Sequence, residues 1–238
     1  MGIPLAKILL AAVLGGTLCM DRVFLQAMVS RPVVVAPVVG FALGDAATGL
    51  IIGALVELLW IDHLPVGVHI PPNDSIVAVV ATGSTVLAGE ELGQVTREMI
   101  ALAVLLLLPL GHLAQRLDRW IAVSNNALSD RAVRMAEAGD ARGITGSLVR
   151  GLLKTLVFHT GFIFLFLLAG EIVLVKIYPL FSGDVPMRGL GIVFWSLPLI
   201  GVAAVLNTVR QRGFLPVFAG IFFLAVFFGT LFRIRPVP

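Results

Sequence analysis

Runs of apolar residues separated by short polar stretches dominate this sequence, and they restrict it to an all-α integral membrane fold. About seven such segments can be distinguished: 3–20, 32–61, 75–89, 99–114, 155–178, 189–209 and 214–232. A helix needs about 20 predominantly apolar residues to cross a bilayer. Only 13% of the residues are charged, about half the share in a soluble domain. We therefore expect one polytopic membrane domain over residues 1–238.

The irregular apolar segments lie in the first 90 residues. The stretch LGDAATG interrupts the run 32–61, where Gly44 is suited to end one half-helix and Asp45 to cap the next. The run 75–89 is short and rich in small residues, which is unusual for a span. Broken membrane helices are tolerated where they line protein or water, and in transporters they build the substrate site. We therefore expect broken or re-entrant helices, and the substrate site, within residues 1–114.

Residues 115–154 have a different character from the runs on either side. An apolar face is formed at helical spacing by Leu117, Ile121, Leu128, Ala132 and Met135, and the opposite face is charged. Seven basic residues stand against four acidic ones, a balance typical of cytoplasmic segments. An amphipathic cytoplasmic helix is predicted, either contacting a partner protein or resting on lipid headgroups. Three further membrane helices are predicted over residues 155–238.

This sequence lacks the motifs that are typical of several other functional classes. The net charge is only +3, which gives no reason to expect a nucleic-acid partner. Cys19 is the single cysteine, so an internal disulfide and CxxC motifs are excluded. The four histidines form no ligand set, and no phosphate-binding glycine loop or nucleophile elbow is present. We expect no metal and no cofactor. The N-terminal run is interpreted as a retained membrane segment, with a cleaved signal peptide as the alternative.

Glu57 is the strongest candidate for a functional side chain, because it lies in an apolar run that contains no basic residue to pair with it. Charged groups inside a membrane usually face a cavity or a partner. A carboxylate can accept charge-assisted hydrogen bonds from two adjacent sugar hydroxyls. The alternative is a protonated, buried side chain bonded to a backbone carbonyl or to a partner chain. Trp60, one turn later, could stack on a sugar ring or anchor the helix at the membrane interface.

For three further polar residues, helix capping explains the sequence as well as contact with a substrate does. Asp45 follows the predicted break, and Asn73 and Asp74 follow two prolines at the start of the next apolar run. The same positions could contact a polar substrate, since the N-terminus of a helix offers amide donors. Both interpretations stay open for each of them.

The run RPVVVAPVVGFALGDAATGLIIGALVELLWIDHLPVGVHIPPND, residues 31–74, resembles the IIC subunit of the mannose/fructose/sorbose family of bacterial phosphotransferase sugar transporters. The matching features are Arg31-Pro32, Gly40, Gly44-Asp45, Gly49, the stretch from Gly53 to Glu57, Gly67 and Pro72. Two later stretches, LSDRAVRMAEAGD and NTVRQRGFLPVFAGIF, resemble the family's cytoplasmic and C-terminal parts. Where members of the family often have Asp after the proline, this chain has Asn73 followed by Asp74.

The resemblance implies a permease subunit and not an enzyme. In this family IIC forms the sugar pathway with a IID membrane subunit, in the bacterial inner membrane. Cytoplasmic IIA and IIB proteins carry the phosphate, and IIB phosphorylates the incoming sugar. The basic segment is then a possible docking surface for IIB. Two other functions stay open from the residues: a regulatory subunit that senses sugar, and a membrane-embedded enzyme that modifies lipids.

Overall fold

The computed structural model describes residues 4–61, 70–208, 219–220 and 223, and all regular structure within these ranges is helical. The α-helices are α1 (Leu5–Cys19), α2 (Pro32–Leu43), α3 (Ala46–Leu59), α4 (Asp74–Leu92), α5 (Arg97–Leu107), α6 (Leu110–Glu137), α7 (Ala141–Ile177) and α8 (Asp184–Thr208). Two short 3-10 helices, Met20–Arg22 and Tyr178–Phe181, follow α1 and α7. The prediction of an all-α fold is confirmed.

Three of the described helices, α4, α7 and α8, are long and apolar enough to cross a membrane. The number becomes four if α5 and α6, which meet at a bend of 41°, form one span. The predicted count of seven apolar segments is therefore not confirmed. The predicted segment 214–232 lies outside the described residues except for 219–220 and 223.

The helix α4 forms the centre of the bundle. The expectation that residues 75–89 are too short for an ordinary span is wrong, because the helix runs over 19 residues from Asp74 to Leu92. Every side chain from Ser75 to Gly89 is buried. Its small residues allow close approach of neighbours, since a Cβ added at Gly170 of α7 would meet the Ser84 hydroxyl group. The small side chains therefore reflect dense packing around a complete helix.

The helices α2 and α3 form an antiparallel hairpin that turns at the predicted break. Gly44 has φ +102° in the left-handed region, and Asp45 caps the N-terminus of α3. The two helices have 12 and 14 residues, which corresponds to about 18 and 21 Å. Neither reaches across a hydrocarbon core of about 30 Å. Two arms of this length are compatible with a re-entrant segment, and the re-entrant course itself stays a prediction.

Glycines of α3 allow the two arms of this hairpin to touch. A Cβ added at Gly49 would lie 2.8 Å from Pro37 Cα and would meet the Ala36 carbonyl oxygen. A Cβ added at Gly53 would meet the Pro32 carbonyl oxygen. Since Gly53 faces the start of α2, the chain reverses its direction between the two helices.

The helices α6 and α7 form a second, much longer hairpin. Residues 115–137 are helical as predicted, and their location at the cytoplasmic surface stays a prediction. The helix α7 begins at Ala141 and continues for 37 residues, about 55 Å. It therefore passes residue 154, where we expected the cytoplasmic segment to end, without interruption.

Candidate functional site

Glu57 lies in the last turn of α3, at the open end of the short hairpin. Its Oε1 is 2.6 Å from the Arg31 Nη2, and its Oε2 accepts a hydrogen bond of 3.2 Å from the Val33 backbone N–H. The side chain of Arg31, the N-cap residue of α2, does not cap that helix itself. Glu57 therefore supplies the missing cap from the opposite arm. The apolar run 32–61 contains no basic residue, but folding of the hairpin brings Arg31, which directly precedes the run, next to Glu57.

Asp45 lies at the opposite end of α3. Its side chain accepts a hydrogen bond of 2.9 Å from the Thr48 backbone N–H and another from the Thr48 hydroxyl. Asp45 and Glu57 are twelve positions apart along α3, a rise of about 18 Å. The structure therefore does not bring these two predicted site residues together, and the geometry of Asp45 is that of a helix cap.

Asn73 and Asp74 begin α4 but have different environments. Asn73 is fully buried. Its Oδ1 accepts the Ile76 backbone N–H at 3.1 Å, and its Nδ2 donates to Asp118 Oδ2 at 2.8 Å. Asp74 is 16% exposed, and its Oδ1 lies 3.1 Å from the Arg22 Nη2. One side chain is thus enclosed and bonded, and the other is accessible.

Trp60 ends α3 and packs against α6. A Cβ added at Gly111 would lie 2.8 Å from the Trp60 ring. The carbonyl oxygen of Gly111 accepts the backbone N–H of Asn73 at 3.1 Å. Trp60 and Asn73 therefore meet at one residue of α6, so the structure joins two predicted site residues that are separated in sequence.

The connector between α1 and α2, residues 20–31, lies across this end of the bundle. Its two arginines, Arg22 and Arg31, form the ion pairs with Asp74 and Glu57 described above. Asp21 organises the connector from within, because its carboxylate accepts hydrogen bonds from the backbone N–H groups of Ala27 (2.8 Å) and Ser30 (3.3 Å). These hydrogen bonds lower the pKa of Asp21, the one from Ala27 most strongly.

Asp118 and His159 form a polar link that the sequence analysis did not find. Asp118 Oδ1 lies 2.8 Å from His159 Nε2, and its other oxygen accepts the bond from Asn73. His159 is 3% exposed, and its Nδ1 has no hydrogen-bond partner among the described residues. Both side chains lie at one end of a cavity of about 460 Å³ between α6 and α7. Asp118 thus ties the start of α4 to α7.

Glu171 is a further buried acid that the sequence analysis did not single out. It lies in the apolar run 155–178, is 3% exposed, and one of its carboxylate oxygens has no partner among the described residues. The rule that led to Glu57, an acid inside an apolar run, could have found it. Asp118 and His159 give no such signal, because their pairing depends on how α6 and α7 meet. Among the described residues no group of three or more His, Cys, Asp or Glu could hold a metal ion.

The arrangement is suited to binding a neutral polar molecule. Glu57 and Asp74 are 15% and 16% exposed, and a carboxylate can accept about four hydrogen bonds. Both therefore retain acceptor capacity beyond their arginine partners. An aromatic ring, Trp60, follows Glu57 by one helical turn. Hydroxyl donors with an apolar face between them would match this set.

Comparison with known proteins gives a consistent result over nearly the whole chain. The family model of the sorbose-specific IIC component of the phosphotransferase system matches residues 5–235. The fructose permease IIC component of Bacillus subtilis is 27% identical over 92% of this chain and 77% of its own length. The mannose-specific EIIC component of Escherichia coli K12 is 25% identical over 83% of this chain and 71% of its own length.

Solved structures share the fold at lower identity. A structure of a membrane protein matches with a TM-score of 0.75 at 22% identity, over 95% of this chain and 88% of that one. The mannose transporter ManYZ, solved in complex with microcin E492, matches with a TM-score of 0.60 at 22% identity and the same coverage. The chain therefore belongs to the sorbose-specific IIC component family of the phosphotransferase system, and it is a multi-pass permease component of the bacterial inner membrane.

Proposed function

We propose that this chain moves a sugar across the membrane together with a IID membrane subunit, in a phosphoenolpyruvate-dependent phosphotransferase system. Phosphoryl transfer takes place on the partner IIA and IIB proteins. The family match supports the permease role, and the resemblance of residues 31–74 to the mannose/fructose/sorbose branch supports the pairing with IID. A IIC–IID hetero-oligomer is the expected working unit.

We propose that the sugar binds where the open end of the α2–α3 hairpin meets the start of α4. The observation that carries this proposal is the pair of partly exposed carboxylates, Glu57 and Asp74, each held by an arginine of the same connector. Sugar hydroxyls can donate to the remaining lone pairs of these carboxylates through charge-assisted bonds. Trp60 offers an apolar surface for the sugar ring.

The other two predicted site residues have supporting roles in this proposal. Asn73 positions the site, since its side-chain oxygen and nitrogen are both engaged, by Ile76 and Asp118. Its burial favours Asp74 over Asn73 as the sugar contact. Asp45 holds the tip of the hairpin in shape. Substrate contact at Asp45 is the weaker assignment, because its carboxylate is occupied by Thr48.

The remaining features of the architecture are proposals as well. We propose that residues 115–154 face the cytoplasm and offer basic side chains to the IIB protein. The acidic residues in the segment limit its net charge to +3, so this docking depends on the distribution of the arginines. The apolar run 214–232 is proposed to complete the membrane domain.

The decisive experiment is sugar uptake into membrane vesicles that contain this chain, IID, IIB and IIA. Glu57→Gln and Asp74→Asn remove the charge and keep the size of the side chain. Each is expected to lower uptake by about ten- to a hundredfold, the effect of losing a charge-assisted hydrogen bond. Glu91→Gln is the matched control, because Glu91 is exposed at the opposite end of α4.

Two further measurements separate loss of binding from loss of folding. Cys19 is fully buried and is the only thiol, so slow maleimide labelling reports a folded bundle. Co-purification with IID reports assembly. Normal uptake by both variants would exclude these carboxylates from the site. A wild-type chain that binds sugar and never transports it in the complete system would point to a regulatory subunit.

A further inference from the structure

A second polar cluster lies at the opposite end of the bundle, where α5 and α8 begin. It borders a cavity of about 700 Å³. The lining residues that matter for ligand binding are Arg97, Glu98, Arg188, Ile192, Trp195 and Leu199. Arg97 follows the C-terminus of α4, whereas Asp74 begins that helix. The cavity is therefore separate from the proposed sugar site.

The mouth of this cavity carries two guanidinium groups and one carboxylate. Arg97 Nε donates to Glu98 Oε1 at 2.7 Å. Arg188 is exposed and makes no ion pair or hydrogen bond with any other described residue. A Cβ added at Gly191 would lie 3.5 Å from Glu98 Oε1, so the carboxylate lies close to the backbone of α8. The mouth thus has an uncommitted cation and a net positive charge.

The deeper wall of the cavity is apolar and open to the surroundings. Ile192, Trp195 and Leu199 follow one another along one face of α8, and each is more than half exposed. The apolar stretch of α8 is one of the candidate spans, and only 17% of it is buried. A helix face of this kind lies against lipid when the protein is in a membrane.

The cavity therefore changes from charged to apolar along the direction of α8. From Arg188 to Leu199 the rise is about 16 Å. A phospholipid has the same order of groups, with the phosphate at the membrane surface and the acyl chains below it. Arginine binds phosphate oxygens in a bidentate manner, and a tryptophan suits the level of the headgroups.

Glu98 restricts which lipid headgroups can bind in the cavity. A carboxylate beside the phosphate disfavours a second negative group, and it accepts hydrogen bonds from hydroxyl donors. We propose that this cavity binds one anionic phospholipid with a hydroxylated headgroup. The phosphate lies between Arg97 and Arg188, the headgroup hydroxyls donate to Glu98, and an acyl chain lies along Ile192, Trp195 and Leu199. Phosphatidylglycerol is the probe with this chemistry.

The proposal is tested by quenching of Trp195 fluorescence with lipids brominated on their acyl chains. The full chain is reconstituted in phosphatidylcholine vesicles with increasing fractions of brominated phosphatidylglycerol or brominated phosphatidylcholine. The signal of Trp195 is the difference between the wild-type protein and Trp195→Phe. We expect half-maximal quenching at a roughly tenfold lower mole fraction of phosphatidylglycerol than of phosphatidylcholine, because two basic residues attract the anionic lipid.

The variant Arg97→Gln/Arg188→Gln is expected to make the two quenching curves coincide. The control Arg119→Gln/Arg150→Gln removes two exposed arginines of the long hairpin and should leave the curves apart. Coincident curves in the wild-type protein would overturn the proposal. Relief of quenching by inorganic phosphate alone would also overturn it, by showing a site for a soluble anion. Loss of quenching by both lipids when IID is bound would identify this face as a subunit interface instead.

Discussion

The guanidinium of Arg31 lies 2.6 Å from the carboxylate of Glu57 and joins the first residue before α2 to the last turn of α3. The bond closes a hairpin whose other end is turned by Gly44 and Asp45. The same carboxylate is the leading candidate for sugar contact. Its structural and functional roles must therefore be separated by experiment.

Exchanging the two charges separates these roles. Arg31→Gln alone should cost about 0.2–1 kcal/mol, as for other partly exposed ion pairs. The double variant Arg31→Glu/Glu57→Arg should recover much of that loss and keep Cys19 protected from maleimide. Its uptake should nevertheless stay low, because the carboxylate has moved across the hairpin. Recovery of uptake in the double variant would show that Glu57 acts only through its ion pair.

The cap at the tip of the hairpin gives a prediction for Asp45. Asp45→Ala should destabilise the protein by about 1 kcal/mol, the usual cost of losing an N-cap. Asp45→Asn and Asp45→Ser keep a side-chain acceptor and should retain most of the stability and most of the uptake. Denaturation followed by Cys19 labelling gives the stability. A folded Asp45→Asn variant without uptake would instead support substrate contact at this position.

Gly49 should tolerate no side chain. Gly49→Ala places a methyl group against the Ala36 carbonyl and Pro37, and an overpacked contact typically costs about 1–3 kcal/mol. Gly161→Ala in α7 is the matched control, since no atom lies within 4 Å of the added methyl group. It should be neutral, or stabilising by up to about 1 kcal/mol. Equal effects of the two substitutions on unfolding would contradict close contact of α2 and α3.

The lowered pKa of Asp21 leads to a prediction of how the stability of the protein changes at low pH. Its pKa is lowered in the folded protein by the hydrogen bonds from Ala27 and Ser30. A lowered pKa stabilises the folded state above the unfolded value of about 3.9, and this contribution is lost as the pH falls through the folded value. The difference in free energy of unfolding between the wild-type protein and Asp21→Asn should therefore be largest at pH 6 and decrease below about pH 4. A difference that is constant with pH would exclude this role.

Local signals in the sequence were sufficient to predict the break between α2 and α3 and the cap that follows it. Glycine and aspartate at positions 44 and 45 predict a left-handed turn followed by a cap, and both are present. Capping was one of the two interpretations left open for Asn73, and its side chain caps α4 in the structure. Such features depend on a few neighbouring residues, so they are accessible without knowledge of the tertiary structure.

Contacts between distant segments were not predictable in the same way. Arg31 is 26 positions from Glu57, and it reaches Glu57 only because the chain reverses between them. Asp118 meets both Asn73 and His159 through the packing of three helices. The length of α4 was underestimated for a related reason. Small residues weaken the hydropathy signal of a span, but they suit a helix that is surrounded by others.

The reversal at Gly44 also affects the topology of the entire chain. The α2–α3 segment is apolar and has more residues than a full span needs, yet its two ends lie at the same end of the hairpin. We predict that the segment is re-entrant, in which case counting it as one crossing would invert the assigned side of every later loop. Reporter tags inserted before Pro32 and after Leu59 should therefore be accessible from the same compartment.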